Sequence, residues 1–178
     1  MRIYVVRHGE IQTNIEGIVN AQNDLELTSN GIQQCKEIRD KYRHISFDVC
    51  YSSGYKRTIA TAKIITGKTC PIIVSRSLRE RECGIFEGKH EYEFPEDYFL
   101  LSKNLPIEGG ESMLEFIQRV YSFLTCIISE NKYNTILIST HLGVCRAIKS
   151  FFDKTKIDNF NEVVINNCEI HQYIVEEK

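Results

Sequence analysis

The 178-residue sequence lacks the features that would assign it at once to several large classes of protein. It has no apolar run long enough to span a bilayer, and residues 1–7 lack the basic region and long apolar stretch of a secretory signal. The net charge is −2 and the isoelectric point is about 6.2, which gives no electrostatic footprint for nucleic acid. We therefore expect a cytoplasmic protein with neither a membrane nor a nucleic acid as partner.

Signatures of metal and nucleotide sites are missing as well. The seven cysteines are dispersed and contain no C-x-x-C pair, which favours reduced thiols over a disulfide or zinc framework. No H-x-x-x-H or H-E-x-x-H pattern and no aspartate cluster has ligand spacing, so we expect no metal and no cofactor. Neither a G-x-x-x-x-G-K-[ST] loop nor a G-x-G-x-x-G loop is present, which argues against nucleoside-triphosphate and dinucleotide chemistry.

What the chain does contain is an alternation of strand and helix patterns. Apolar runs predict strands at 3–6, 47–51, 71–74, 135–139 and 170–175. Helical spacing and capping residues predict helices that begin at Thr28, near residue 55, at Ser112 and near residue 144. Residues 10–27 are expected to form a polar loop. The alternation favours an α/β fold, three-layer α/β/α with a mostly parallel central sheet flanked by helices, in a single domain over 1–178.

Basic and imidazole side chains follow three of the predicted strands. Arg7 and His8 end the first strand, Arg57 lies near the start of the helix after the second, and His141 follows the fourth. Because ligands of open α/β sheets bind outside the carboxyl ends of the strands, we expect these side chains to converge on one site. Arginine forks and helix N-termini both suit phosphate oxygens. The pattern therefore predicts a pocket for a phosphoryl group.

These residues belong to a longer ordered set of motifs. The set comprises Arg7-His8-Gly9-Glu10, Asn14, Ser52, Arg57, Leu78-Arg79-Glu80, Gly110-Glu111-Ser112 and Thr140-His141-Leu142-Gly143. In content and order it resembles the histidine phosphatase superfamily, the phosphoglycerate-mutase-like group, over nearly the whole chain. The resemblance implies a phosphoglycerate-mutase-like fold and a covalent phosphohistidine mechanism.

By this resemblance His8, Glu80 and His141 form the catalytic set, and Arg7, Asn14 and Arg57 bind the phosphate and the substrate. His8 would be the nucleophile, while Arg7, Arg57 and His141 would hold the phosphoryl oxygens. Asn14 would line the pocket, and Glu80 would protonate the leaving group and later activate water. Glu10, Glu82 and Glu87 are rival candidates for the acid.

The activity implied by the resemblance is metal-independent hydrolysis of a small phosphomonoester, of the sugar-phosphate or α-ribazole-phosphate type. A phosphoglycerate mutase and a protein phosphohistidine phosphatase are the alternatives within the family. The short segment before Gly110-Glu111-Ser112 favours the phosphatase branch over the mutases, which are longer there. A phosphate-recognition module without turnover is the alternative outside enzymes, but the presence of both His8 and Glu80 favours catalysis.

Residues 89–108 are a candidate cap over the pocket. The segment carries the apolar side chains Tyr92, Phe94, Tyr98, Phe99 and Leu100. These would select the leaving group if they covered the site. Packing as a satellite core beneath a long loop is an equally open interpretation. The natural substrate, the pathway and the oligomeric state are left open by the sequence.

Overall fold

Strands and helices alternate in the computed structural model, which describes residues 1–67, 70–95, 102–154, 160 and 163–176. The strands are β1 (Arg2–Arg7), β2 (Val49–Ser52), β3 (Ile72–Val74), β4 (Thr135–Thr140) and β5 (Ile170–Ile174). The helices are α1 (Gln12–Glu16), α2 (Ser29–Tyr42), α3 (Lys56–Thr66), α4 (Met113–Glu130) and α5 (Leu142–Asp153). Short 3-10 turns occupy Arg76–Leu78, Gly84–Phe86 and Glu91–Glu93.

The described strands form one sheet in the order β3-β2-β4-β1-β5. All neighbouring pairs are parallel except β1 and β5, which are antiparallel. Arg7 pairs with Thr140, and Ser52 pairs with Ser139, so β1, β2 and β4 end at the same edge of the sheet. This register brings together the residues that follow the three strands.

Side chains of the buried strands alternate between two apolar cores. On one face, Ile3 and Val5 of β1 pack with α4 and α5. On the opposite face, Tyr4 and Val6 pack with α2 and α3. Helices therefore cover both faces of a mostly parallel sheet, and the predicted three-layer α/β/α fold is confirmed. Within the described residues, no helix is both long enough and apolar enough to cross a membrane.

The prediction that residues 10–27 form only a loop is wrong, because α1 lies within them. The helix is five residues long, too short to show an apolar period. Its ends are held by local contacts instead. The Asn14 side chain accepts the backbone N–H of Ile11 at 3.2 Å, and Gly17 ends the helix in the left-handed conformation.

Two predicted helix starts are confirmed by their caps. The Thr28 hydroxyl accepts the Gly31 N–H at 2.9 Å at the start of α2. At the start of α4, Ser112 Oγ accepts the Glu115 N–H, and Glu115 accepts the Ser112 N–H at 2.9 Å. Each cap satisfies N–H groups that the first helical turn leaves without a partner.

Candidate active site

His8 follows β1 directly, and its side chain is buried in the protein interior. Its backbone N–H donates to the carbonyl oxygen of Thr140 at 2.8 Å, which fixes it beside the end of β4. The ring Nδ1 lies 2.8 Å from the carbonyl oxygen of Gly9. Since a carbonyl only accepts, Nδ1 carries the proton and Nε2 keeps a free lone pair. A neutral imidazole in this tautomer is equipped to act as a nucleophile.

The surroundings of His8 keep it neutral. Burial and the positive charges of Arg57 and Arg7 lower its pKa to about 3, although the hydrogen bond to Gly9 works in the opposite direction. The lone pair on Nε2 is therefore available at neutral pH, where an exposed histidine would be partly protonated.

His141 lies next to His8 at the end of β4, with the two ring centroids 5.2 Å apart. It is the N-cap residue of α5, and only 1% of it is exposed. Its Nε2 lies 2.8 Å from the hydroxyl oxygen of Ser53, while its Nδ1 is buried without a hydrogen-bond partner. Burial lowers the pKa of His141 well below the ordinary value, and the charge of Arg57 acts in the same direction.

The two predicted arginines reach the site from different elements. Arg7 ends β1 and donates from Nη1 to the carbonyl oxygen of Ile165 at 2.7 Å. Arg57 is fully buried on α3 and donates to the carbonyl oxygens of Asn23 at 2.7 Å and Ala21 at 3.1 Å. Its guanidinium also lies 4.7 Å from the centre of the Tyr55 ring. Arg57 thus braces the loop after α1, and its charge influences both histidines.

Glu80 follows β3 by way of a 3-10 turn and is held at both carboxylate oxygens. Its Oε2 accepts the N–H of Gly143 at 2.9 Å, and its Oε1 accepts the N–H of Arg81 at 2.9 Å. Behind it, Arg119 of α4 donates to the carbonyl oxygens of Ser77, Arg79 and Glu80 at 2.8, 2.9 and 3.1 Å. Arg119 also forms an ion pair with Glu111. The backbone that carries Glu80 is therefore firmly attached to α4.

The rival carboxylates are engaged elsewhere. Glu10 accepts the Thr28 hydroxyl at 2.6 Å at the start of α2. Glu87 accepts the N–H groups of the loop at 21–23. Glu82 is exposed on the surface. Of these four carboxylates, Glu80 is the one on the wall of the cavity described next.

A cavity of about 520 Å³ brings most of the predicted site residues together. Five of the six line its wall, namely Arg7, His8, Asn14, Glu80 and His141. Arg57, which is fully buried, is not among the lining residues. From the candidate cap segment, Phe94 and Pro95 line the cavity, whereas Tyr92 is 82% exposed. Tyr98, Phe99 and Leu100 lie outside the described residues. The described residues contain no group of three or more His, Cys, Asp or Glu side chains able to hold a metal ion.

Several residues that support the site were not identified from the sequence. Asn167 donates from Nδ2 to the carbonyl oxygen of His8 at 2.9 Å and to Asn14 Oδ1 at 3.1 Å. The Cys168 N–H donates to the carbonyl oxygen of Arg7 at 3.0 Å. No motif marks these two residues, because their contacts depend on the antiparallel pairing of β5 with β1. Ser53 also contacts the site, and its place directly after Ser52 of the motif set at the end of β2 was a signal that could have identified it.

Known proteins resemble this chain in sequence. The sequence profile of the histidine phosphatase superfamily (branch 1) matches residues 3–178. The chain is 34% identical over 158 residues to phosphoglycerate mutase-like protein 4 of Arabidopsis thaliana, covering 82% of this chain and 68% of the relative. It is 29% identical over 153 residues to the adenosylcobalamin/alpha-ribazole phosphatase of Escherichia coli, covering 81% of this chain and 75% of the relative.

A solved structure has a similar fold over almost the whole chain. A mutant phosphoserine phosphatase of Entamoeba histolytica, determined in complex with phosphoserine, matches with a TM-score of 0.85 and 26% identity. The match covers 97% of this chain and 90% of that chain. The chain therefore belongs to the histidine phosphatase superfamily, branch 1, and is a phosphatase of that family.

Proposed function

We propose that this phosphatase hydrolyses small phosphomonoesters in two steps, through a phosphohistidine at His8 and without a metal. The observation that carries the proposal is the state of the His8 ring. Its Nδ1–H is committed to the carbonyl oxygen of Gly9, its Nε2 is unprotonated, and two arginines oppose its protonation. A neutral, oriented imidazole among cationic groups suits the in-line attack that phosphoryl transfer requires.

In the first step, Nε2 of His8 attacks phosphorus and the ester oxygen leaves. Glu80 is the proposed donor of a proton to that oxygen, so that the product departs as an alcohol. Arg7, Arg57 and His141 stabilise the charge on the non-bridging oxygens, and Asn14 lines the pocket. In the second step, Glu80 takes a proton from water, which attacks phosphorus and releases inorganic phosphate from His8.

The proposed substrate is a small metabolite with one phosphate ester. A cavity of about 520 Å³ accommodates such a molecule and is too small for a folded protein domain. Relatives of this chain bear the names alpha-ribazole phosphatase and phosphoserine phosphatase, which are activities on small molecules.

We further propose one domain over 1–178, a cytoplasmic location, and a role for 89–108 in covering the leaving group.

The test is to trap the phosphoenzyme. The purified protein, kept in excess chelator, is mixed with an aryl phosphate labelled in its phosphoryl group and then quenched in base, which preserves phosphohistidine. We expect label on the wild-type chain that is lost in acid, and none on His8→Ala. His44→Ala, a change at an exposed histidine, serves as the matched control and retains the label. Labelling of His8→Ala at the wild-type level would contradict the proposal.

A further inference from the structure

Three hydroxyl and carbonyl groups next to His141 determine where its ring proton lies. Thr58 donates its only hydroxyl proton to the carbonyl oxygen of Tyr55 at 2.8 Å. Its oxygen can therefore only accept, and the hydroxyls of Ser52 and Ser53 each lie 2.9 Å from it as donors. Ser53 has then used its own proton and can only accept from His141 Nε2, at 2.8 Å. Each hydrogen bond thus fixes the direction of the next one, and His141 must carry its proton on Nε2.

The opposite ring nitrogen is consequently a bare acceptor. Nδ1 of His141 is buried and has no hydrogen-bond partner, although His141 lines the cavity that holds His8. A lone pair in this position repels the fully ionised oxygens of a phosphoryl dianion. It attracts a phosphoryl oxygen that carries a proton, or a proton that arrives together with the dianion.

We propose that the Ser53–Thr58 hydroxyl pair fixes this tautomer, so that His141 Nδ1 takes up one proton whenever the site binds a phosphoryl group. The inference rests on the proposed function, in which His141 contacts the phosphoryl oxygens. With a monoanionic ester, the P–O–H proton passes to Nδ1 and yields an imidazolium beside the dianion. With a dianionic ester, the same proton comes from solvent. Ser53 and Thr58 are positioning residues, because they act through His141.

The groups around His141 explain why the proton is absent before the ligand binds. Burial of the ring is the main cause, and the charges of Arg57 on α3, Arg119 on α4 and Arg7 at the end of β1 also oppose a positive charge on it. His8, which follows β1, would oppose it only when protonated. The Tyr55 ring lies edge-on at 5.7 Å, and Glu80 is attached to the same turn of α5 through Gly143. A bound dianion reverses the local potential and makes an imidazolium favourable.

Binding of inorganic phosphate tests the proposal in the wild-type protein. Calorimetric titrations in two buffers of different ionisation enthalpy, at about pH 8.5 where the dianion predominates, report the protons exchanged. We expect uptake of close to one proton per phosphate bound, and an affinity that falls about tenfold per pH unit in this range. Nitrogen NMR of the free protein should show His141 protonated at Nε2 and bare at Nδ1.

Two variants locate the proton. Thr58→Val removes the acceptor for the Ser53 hydroxyl, which can then donate to Nε2 and leave the ring proton on Nδ1. Ser53→Ala removes the acceptor for the Nε2–H group of His141, so that either ring nitrogen can carry the proton. Both should bind phosphate with proton uptake reduced toward zero, whereas Thr58→Ser keeps the hydroxyl and should behave as the wild type.

The outcomes separate this inference from the function on which it rests. Phosphate binding without proton uptake overturns the inference and leaves phosphohistidine catalysis intact. Uptake that persists unchanged in both Thr58→Val and Ser53→Ala also overturns it, because another group then accepts the proton. Failure of the wild-type protein to bind phosphate at all overturns both.

Discussion

The carboxylate of Glu80 accepts the backbone N–H of Gly143 at 2.9 Å, which joins the segment after β3 to the first turn of α5. The N-cap of that helix is His141. The proposed proton donor and the proposed phosphate-binding histidine are therefore positioned against a single helix end. Any change in this contact should alter protonation of the leaving group before it alters phosphate binding.

The first prediction concerns Gly143→Ala. A Cβ at this position would collide with Glu80 Oε1, which lies at the far end of a flexible side chain. We expect the carboxylate to move and the turnover of an alkyl phosphate to fall at least about tenfold, since a positioned acid contributes more than this. An aryl phosphate, whose leaving group needs little protonation, should be nearly unaffected. Equal loss on both substrates in steady-state kinetics would contradict the prediction.

Replacement of Glu80 by glutamine is the second prediction. The variant keeps the shape of the side chain but has no proton to give, so kcat for an alkyl phosphate should fall by about 100-fold or more. The loss for an aryl phosphate should be much smaller, and phosphate should still bind. Glu82→Gln, at an exposed neighbouring carboxylate, is the control and should retain full activity. A comparable loss in the control would move the acid role away from Glu80.

The third prediction concerns the support beneath Glu80. Arg119→Lys removes a planar fork that binds three carbonyl oxygens and the carboxylate of Glu111. Lysine keeps the positive charge but has no planar fork, so it can bind only some of these oxygens, and the partly buried Glu111 carboxylate loses hydrogen bonds that favour its charged form. We expect a loss of about 2 kcal/mol in the free energy of unfolding, measured in urea.

Arg39→Lys provides the comparison for this experiment. Arg39 pairs with Asp40 on the surface, where 45% of its side chain is exposed. Such exposed pairs contribute about 0.5 kcal/mol, so this variant should unfold close to the wild type. If the two variants lose the same stability, the bracing role of Arg119 is refuted.

The fourth prediction links His8 to the pH dependence of stability. Its pKa is about 3 in the folded chain and returns to about 6.5 on unfolding, so the unfolded state binds the extra proton between these values. The histidine is neutral in both states above this window, and its contribution to stability is fully present there. Stability should then fall by about 1.4 kcal/mol per pH unit for this group as the pH drops from about 6 to 4.

Substitution isolates this contribution. His8→Asn should flatten the dependence of the unfolding free energy on pH in that window, leaving the share of His141, whose pKa is also lowered by burial. His44→Asn, at an exposed histidine, should leave the slope unchanged. An identical slope in His8→Asn and the wild type would show that His8 is not held neutral.

The positions of Arg7, His8 and His141 at the ends of predicted parallel strands were enough to predict that these residues would lie close together. Parallel strands must end at one edge, and the buried β1 and β4 are evident from their apolar runs. Glu80 follows an irregular segment without periodicity, so its place in the site came from the family resemblance alone. The catalytic roles of these residues are still predictions.

Other features could not be predicted, because they depend on pairings between distant segments. The bond between Ser53 and His141 exists because Ser52 lies opposite Ser139 in the sheet. The sequence pattern did not predict α1, because this helix is held by its caps and has no apolar face. Sequence patterns report local periodicity and burial, but not the register that sets such contacts.

The hydrogen bonds from Asn167 and Cys168 to the backbone of His8 and Arg7 have a consequence for biosynthesis. His8 is synthesised 159 residues before Asn167, whose side chain holds its backbone. A nascent chain halted before residue 165 therefore has every proposed catalytic side chain. It lacks the two residues whose hydrogen bonds hold the backbone of Arg7 and His8 in place. Activity should therefore appear only after Asn167 and Cys168 have been synthesised and have bonded to the end of β1.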